Sequence, residues 1–357
     1  MSTLADFDWQ RLRETWDAWW CGERKAPMFN FRLSPPPGTP QAEPPRHFWA
    51  SYDFQTPPET VLDCAANAME KVRMIDGGHP SCWLNFGPGA LAAMVGGEGH
   101  ATPETVWFTP GRWAGVPIRE IHPRLDRSSA WFRRLEEFCR AAETHWKGRI
   151  QFGCTDLGGT LDVVSSLLPG EQLLYALYDE PDEIKRLTAE VHEAWFEAFD
   201  FFHSLMPSNP GYTAWDGIFS SRPYYMLQCD FCYMISPEMF GEFVLPELAQ
   251  SCRRIEHSFY HLDGKGELPH LDQLLSIPEL AGIQWVPGDG APPFHEWTDV
   301  YCRIAAAGKK IWLAPQRDLE GAARVIDATG RPELFVINDW FPAEREEEMR
   351  TFMERYS

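Results

Sequence analysis

Four short apolar runs begin at residues 258, 282, 310 and 334, 24 to 28 residues apart, and each is followed by residues at helical spacing. Short buried strands alternating with helices imply parallel pairing, because parallel neighbours need a long crossover that a helix normally supplies. The first half carries the same alternation with insertions. Its strand-like runs are 27–33, 81–87, 149–155 and an interrupted pair, 211–216 with 224–230. Eight such units in 357 residues predict an α/β chain, a (β/α)8 TIM barrel with an N-terminal helical extension over 5–21 and insertions in the first half. One domain over 1–357 is the simplest organisation. No Gly-x-Gly-x-x-Gly follows a strand, which removes the main support for a dinucleotide-binding sheet. The proline-rich run 34–45 cannot be regular structure, and 88–125 reads as a long loop over one end of the fold.

Composition narrows the partners. The chain carries 52 acidic against 32 basic residues, a net charge of −20. A field of that sign repels phosphate backbones and anionic membranes, so nucleic acid and membrane are not expected partners. No apolar run reaches the roughly 18–20 residues of a membrane helix. The first residues lack the basic and apolar blocks of a signal peptide, and a cytoplasmic location is expected. Nine cysteines without framework spacing read as reduced, mostly buried thiols. Cys229-Asp-Phe-Cys232 is a C-x-x-C in a strand-like run, where alternation puts the two thiols on opposite faces unless a bulge intervenes. Without a second pair it is no zinc ribbon, and it reads as core. Sixteen tryptophans suggest flat apolar walls around a small-molecule substrate.

In barrels of this kind the active site lies where the strands end at their C-termini. Polar or aromatic residues recur there: Arg32, Asn85, Asp156, Trp215 with Asp216, Asp230, His261 with Asp263, Gln284 with Trp285, and Asn338 with Asp339. The run Ser258-Phe-Tyr-His-Leu-Asp-Gly264 stands out. His261 and Asp263 are two apart, so on extended backbone they share a face, and a glycine follows. An imidazole and a carboxylate so placed can hold a metal, share a proton or grip a polar ligand. His261, Asp263 and Asp230 are the expected catalytic residues, the others substrate-binding.

The run Met234-Ile-Ser-Pro-Glu-Met-Phe-Gly-Glu-Phe-Val-Leu-Pro-Glu-Leu248, with Asp230 before it, resembles the mid-chain signature of the uroporphyrinogen decarboxylase superfamily. Asp156-Leu-Gly-Gly-Thr-Leu-Asp162 and Leu174-Tyr-Ala-Leu-Tyr-Asp-Glu-Pro-Asp-Glu-Ile184 are similar to its preceding segment. The resemblance covers roughly 150–340 well and the first 120 residues loosely, and it implies a TIM barrel. It also implies one of two chemistries. Decarboxylases of the superfamily use an arginine-containing N-terminal loop and an aspartate, without cofactor; here Arg32 is followed by the proline-rich run instead. The cobalamin-dependent methyltransferase branch binds zinc through His-x-Cys on the fifth strand and a cysteine near the eighth, and works with a corrinoid protein. His261-Leu-Asp263 matches the first motif with aspartate in the cysteine's place, and Asn338-Asp339 stand near the eighth strand. Oxygen donors leave a metal more Lewis-acidic than thiolates do.

The resemblance therefore implies a methyltransferase-like enzyme acting on a small methylated substrate or corrinoid. Zinc or another divalent metal would sit at His261 and Asp263, a corrinoid protein would be the partner, and a homodimer would be the assembly. Two other readings stay open: a cofactor-free decarboxylase using Asp230 and Arg32, and a non-catalytic barrel that binds a corrinoid or tetrapyrrole.

Overall fold

A computed structural model describes residues 4–357; residues 1–3, where the reading of the N-terminus begins, lie outside it. Eleven strands occur in the described residues: β1 (Met28–Leu33), β2 (Arg73–Asp76), β3 (Ser81–Trp83), β4 (Glu98–Ala101), β5 (Val106–Thr109), β6 (Gln151–Gly153), β7 (Tyr224–Gln228), β8 (His257–Asp263), β9 (Gly282–Val286), β10 (Lys310–Leu313) and β11 (Phe335–Phe341). The main sheet has seven strands in the order β2-β1-β11-β10-β9-β8-β7, parallel throughout except for β2. Among the described residues twelve α-helices accompany the strands, and none is long and apolar enough to cross a membrane.

The expected alternation is present, with β1, β3, β6 and β7 to β11 in the anticipated places. The last strand pairs with the first, Met28 opposite Val336 through Leu33 opposite Phe341. The sheet is nevertheless not hydrogen-bonded into a closed barrel. β3 and β6 form a separate parallel pair, and the free edge of β1 is taken by the antiparallel β2. Side chains bridge the two gaps instead. Arg32 reaches Ser81 between β1 and β3. Beyond β6, Asn209 Oδ1 accepts from the Phe152 amide and Gln151 Nε2 donates to the Tyr212 carbonyl.

The run at 211–216 is not a strand; a single bridge, Tyr212 to Ser220, is all that remains of it. The segment read as a long loop contains the β4–β5 hairpin. A helix over Pro58–Met69 leads into β2, where the chain turns back against β1.

Alternation along β8 separates two environments. Tyr260 and Leu262 pack in the large core under the helices, whereas Phe259 joins a second cluster with Met28, Met226, Val336 and Trp16, Trp19 and Trp20. Those tryptophans come from the N-terminal helix Trp9–Trp20, whose Asp8 caps it by accepting from the Arg11 amide. Its apolar face thereby plugs the end of the sheet opposite the one to which Asp263 points. Gly282 has no side chain for a reason: a Cβ there would sit 2.4 Å from the Phe259 ring.

Trp16 is fully buried and its Nε1 donates to the Gly77 carbonyl at 3.0 Å, tying the helix to the β2–β3 turn. Trp16→Ala removes both the packing and the donor, and should cost about 3–5 kcal/mol of unfolding free energy in a denaturant titration. A loss below about 1 kcal/mol would show that the helix is only loosely docked.

Candidate active site

β8 and β9 pair with His261 directly opposite Gln284. That register brings His261 Nδ1 to 2.6 Å from Gln284 Oε1. A glutamine oxygen only accepts, so Nδ1 carries the hydrogen and Nε2 presents its lone pair. Nε2 lies 4.0 Å from Asp263 Oδ2, beyond hydrogen-bond range, and Asp263 is about half exposed. The two side chains share a face as strand alternation requires. The Trp215 ring stands edge-on to His261 at 6.2 Å, and it is also 6.2 Å from Trp83 and 5.9 Å from Tyr225.

A group of carboxylates surrounds this imidazole. Asp156, at the end of β6, is 5% exposed; it accepts from the Gly158 amide at 2.7 Å, Tyr225 at 3.3 Å and Gln228 at 3.3 Å. Burial pushes its carboxyl up to about 6. The Gly158 amide, Tyr225 and His261 restrain that rise, and the charge of Asp230 adds to it. Asp230 opens to solvent. Partial desolvation raises it first, His261 opposes the rise, and Asp263 reinforces it. Beneath it lies Asp162, which accepts from the Asp230 and Phe231 amides at 3.1 and 2.8 Å and is pushed up to about 8 by burial and by Asp230. Sequence reasoning passed over Asp162, although it closes the Asp156-Leu-Gly-Gly-Thr-Leu-Asp162 run.

A second polar set lies on β1, β3 and β11. Arg32 donates to Asn338 Oδ1 at 3.3 Å and to Ser81 Oγ at 2.8 Å. No described carboxylate is within ion-pair reach of it, and burial lowers its guanidinium to about 10. Asn30, two residues earlier on the same face, donates to the Gly217 carbonyl, and its buried Oδ1 has no partner. Asn30 was also missed; its spacing from Arg32 was the available signal. Ser81 and Trp83 are likewise two apart on β3, so Arg32 connects to the aromatic wall through Ser81, Trp83 and Trp215.

Other expected site residues are occupied elsewhere. Asp216 is buried with Oδ1 accepting from the Ile218 amide and Oδ2 from Tyr224, its carboxyl pushed up to about 7 by burial. Only its carbonyl reaches the sheet interior, accepting from Asn338 and Trp312. Asn85 closes its own turn through the Gly87 amide and contacts His47. Trp285 alternates outward from Gln284 and packs on Trp297. Asp339 accepts from the Arg317 and Trp340 amides and so holds a loop.

The two cysteines differ from expectation as well. The strand stops at Gln228, and Asp230–Met234 is a 3₁₀ turn for which Cys229 is the N-cap, so both thiols come together. They lie with Tyr260 on the helix side of β8, away from His261. Among the described residues, no three His, Cys, Asp or Glu side chains are grouped to hold a metal ion. The zinc set implied by the resemblance is thus short of a donor, since Asn338 and Asp339 are engaged elsewhere. Two clefts elsewhere in the described residues do not touch His261. One of about 340 Å³ is lined by Phe196, His203, Tyr212 and Arg254, and one of about 620 Å³ lies between the last two helices.

No family model matches the chain, and no curated protein sequence matches it. A solved structure does: a methyltransferase from Methanosarcina mazei superposes with a TM-score of 0.61 over 97% of this chain and 99% of that one, at 11% identity. The chain therefore has a methyltransferase-like α/β fold along nearly its whole length. At that identity the likeness is one of fold.

The raised carboxyl of Asp156 has a stability consequence. Its folded value, about 6, lies above the ordinary 3.8, so the group stabilises the fold below pH 4 relative to neutral pH, and that contribution is lost as pH rises through 6. Asp156→Asn removes the charge. Its stability relative to wild type should rise by about 2–3 kcal/mol between pH 4 and pH 7.5, measured by denaturant titration at each pH. A difference that stays flat over this window would mean the carboxylate is not desolvated.

Proposed function

We propose that this chain is a single-domain methyltransferase of the uroporphyrinogen decarboxylase superfamily, acting on a small molecule with a methylated cationic centre and an anionic end. The observation that supports it most is His261, held in one tautomer by Gln284 with its free Nε2 beside carboxylates and the Trp215 ring. Aromatic faces and carboxylates together suit a methylated ammonium or sulfonium, which is attracted to both and has no N–H or S–H to donate. Arg32 lacks an acidic partner and matches a carboxylate or sulfonate. With Asn30 and Asn338 it would bind the other end of the substrate.

In this reading the carboxylates and Trp83 with Trp215 hold the onium, and Arg32 sets its orientation. The acceptor's electron pair attacks the methyl carbon while the bond to the leaving nitrogen or sulfur breaks, its electrons staying with the departing atom. An acceptor that carries a proton gives it to His261 Nε2. Positive charge then moves from the onium to the imidazolium, and the same carboxylates, Asp156, Asp230 and Asp263, face both. Gln284 keeps Nδ1 protonated and the ring fixed throughout. A corrinoid carried by a partner protein is the acceptor that the superfamily resemblance implies, and it would need no such base. The described donors do not form a zinc centre, and no step depends on one.

A decarboxylase reading rests on the same unpaired Arg32, with Asp230 as its carboxyl group. The two are separated by product analysis. The protein is incubated with N-methylated carboxylates and either a thiol or reduced corrinoid. Methyl transfer without release of carbon dioxide is expected. His261→Ala should lower kcat for the thiol reaction by about 100- to 10,000-fold, whereas Arg32→Ala should mainly raise KM. Carbon dioxide release without methyl transfer, or full activity in His261→Ala, would overturn the proposal.

A further inference from the structure

On the far side of β8 from His261 lies a buried polar cluster that the proposed chemistry does not use. It comprises Cys229, Cys232, Tyr260, Glu267 and His270. Two short turns build it. The Cys232 amide donates to the Cys229 carbonyl at 3.1 Å, which makes the C-x-x-C one turn of 3₁₀ helix, where side chains three apart eclipse one another. The Cys229 and Cys232 thiols are accordingly close enough to shift one another. Glu267 and His270 are three apart in the next turn, and His270 Nε2 donates to the Cys232 carbonyl at 2.8 Å. Tyr260 OH is 3.7 Å from Cys232 Sγ.

This cluster is unlike ordinary core. Cys229 is 1% exposed and Cys232 fully buried, and so are Glu267 and His270 to within 1%. Both carboxyl oxygens of Glu267 and Nδ1 of His270 lack any partner. Unpartnered buried polar atoms cost stability and ask for a use. Burial pushes the thiols of Cys82 and Cys154 up to about 12, whereas the neighbouring Cys229 thiol, together with His270 and Tyr260, brings Cys232 down to about 6 despite its burial. Glu267 is driven the other way, up to about 11 by burial and neighbouring negative groups, and so holds its proton.

We propose that Cys229 and Cys232 form a redox-active dithiol, closed to a disulfide by a small peroxide, and that this closure displaces Asp230. The paired thiols in one turn supply the geometry, and their burial selects a small neutral oxidant. The Cys232 thiolate attacks one peroxide oxygen, the O–O bond breaks, and the departing hydroxide leaves as water with a proton from the cluster, for which Glu267 is the protonated acid. Cys229 sulfur then attacks the Cys232 sulfenic acid, forming the S–S bond and releasing the second water. Two thiols and one peroxide become one disulfide and two waters; the two electrons pass from sulfur to oxygen. Asp230 lies between the cysteines in sequence, and its amide and that of Phe231 are held by Asp162. A bond drawn across Cys229 and Cys232 tightens that turn. The inference stands on this cluster and not on the methyl-transfer reading.

The test oxidises the purified full chain with hydrogen peroxide, blocks remaining thiols and maps the peptides by mass spectrometry. The Cys229–Cys232 peptide should lose two hydrogens before the other cysteines react. Cys229→Ser should stop at a sulfenic acid on Cys232, trapped by dimedone. Amide exchange at Asp230 and Phe231 should quicken on oxidation of the wild type. Oxidation confined to Cys21 and Cys302, or unchanged exchange at Asp230, would overturn the proposal. So would one equivalent of zinc that protects the pair until a chelator removes it, which would make the cluster a metal site. The wild-type map decides even if the serine variant does not fold.

Discussion

Everything at the candidate site depends on one pairing, His261 opposite Gln284 across the β8–β9 ladder. A one-residue slip would turn His261 into the helix layer and bring Leu262 to the interior. The correct register does more than place the ring. It sets an acceptor-only oxygen against Nδ1, which decides the tautomer and leaves Nε2 free of that bond. The ladder is held by the large core on one face and the tryptophan cluster on the other, so the tautomer is ultimately a consequence of packing.

Around that nitrogen the electrostatics are one-sided. Asp156, Asp162 and Asp230 are all raised, chiefly by desolvation, and each repels its neighbours when charged. A cation placed among them would relieve that strain, and aromatic rings beside them limit which cations fit. Arg32 is the complementary defect: a buried guanidinium whose partners are all neutral. Acids in excess near His261 and a base without an acid near Asn338 are the features on which the proposed zwitterionic substrate rests. Such preorganised charge is what transition states that relocate positive charge require.

The alternation of strand and helix was legible because parallel strands buried on both faces leave compact apolar runs, and His261 with Asp263 was legible because strand period is two. What could not be read was where polar side chains find partners across the fold. In the sequence Asp216 and Asp339 stand at expected strand ends just as Asp156 does, but backbone amides of neighbouring loops engage them. Trp285 follows Gln284 and alternation alone turns it away. Closure of the sheet was over-read: the strand count anticipated a continuous barrel, whereas Asn209, Gln151 and Arg32 bridge the gaps by side chain, a substitution no periodicity reveals. Cys229 and Cys232 were expected on opposite faces, short of a bulge, because the strand was drawn through residue 230, whereas it ends at Gln228. That single boundary hid a buried cluster.

The central claim is that Trp215, His261 and the surrounding carboxylates grip a methylated cation. It is tested most directly by proton NMR of a trimethylammonium carboxylate titrated into the protein. Binding beside the Trp215 ring should shift the N-methyl resonance upfield and move the His261 ring signals together with it, and Trp215→Leu should abolish the ligand shift while leaving the fold intact. Binding with no ring-current shift and unmoved His261 signals would contradict the account.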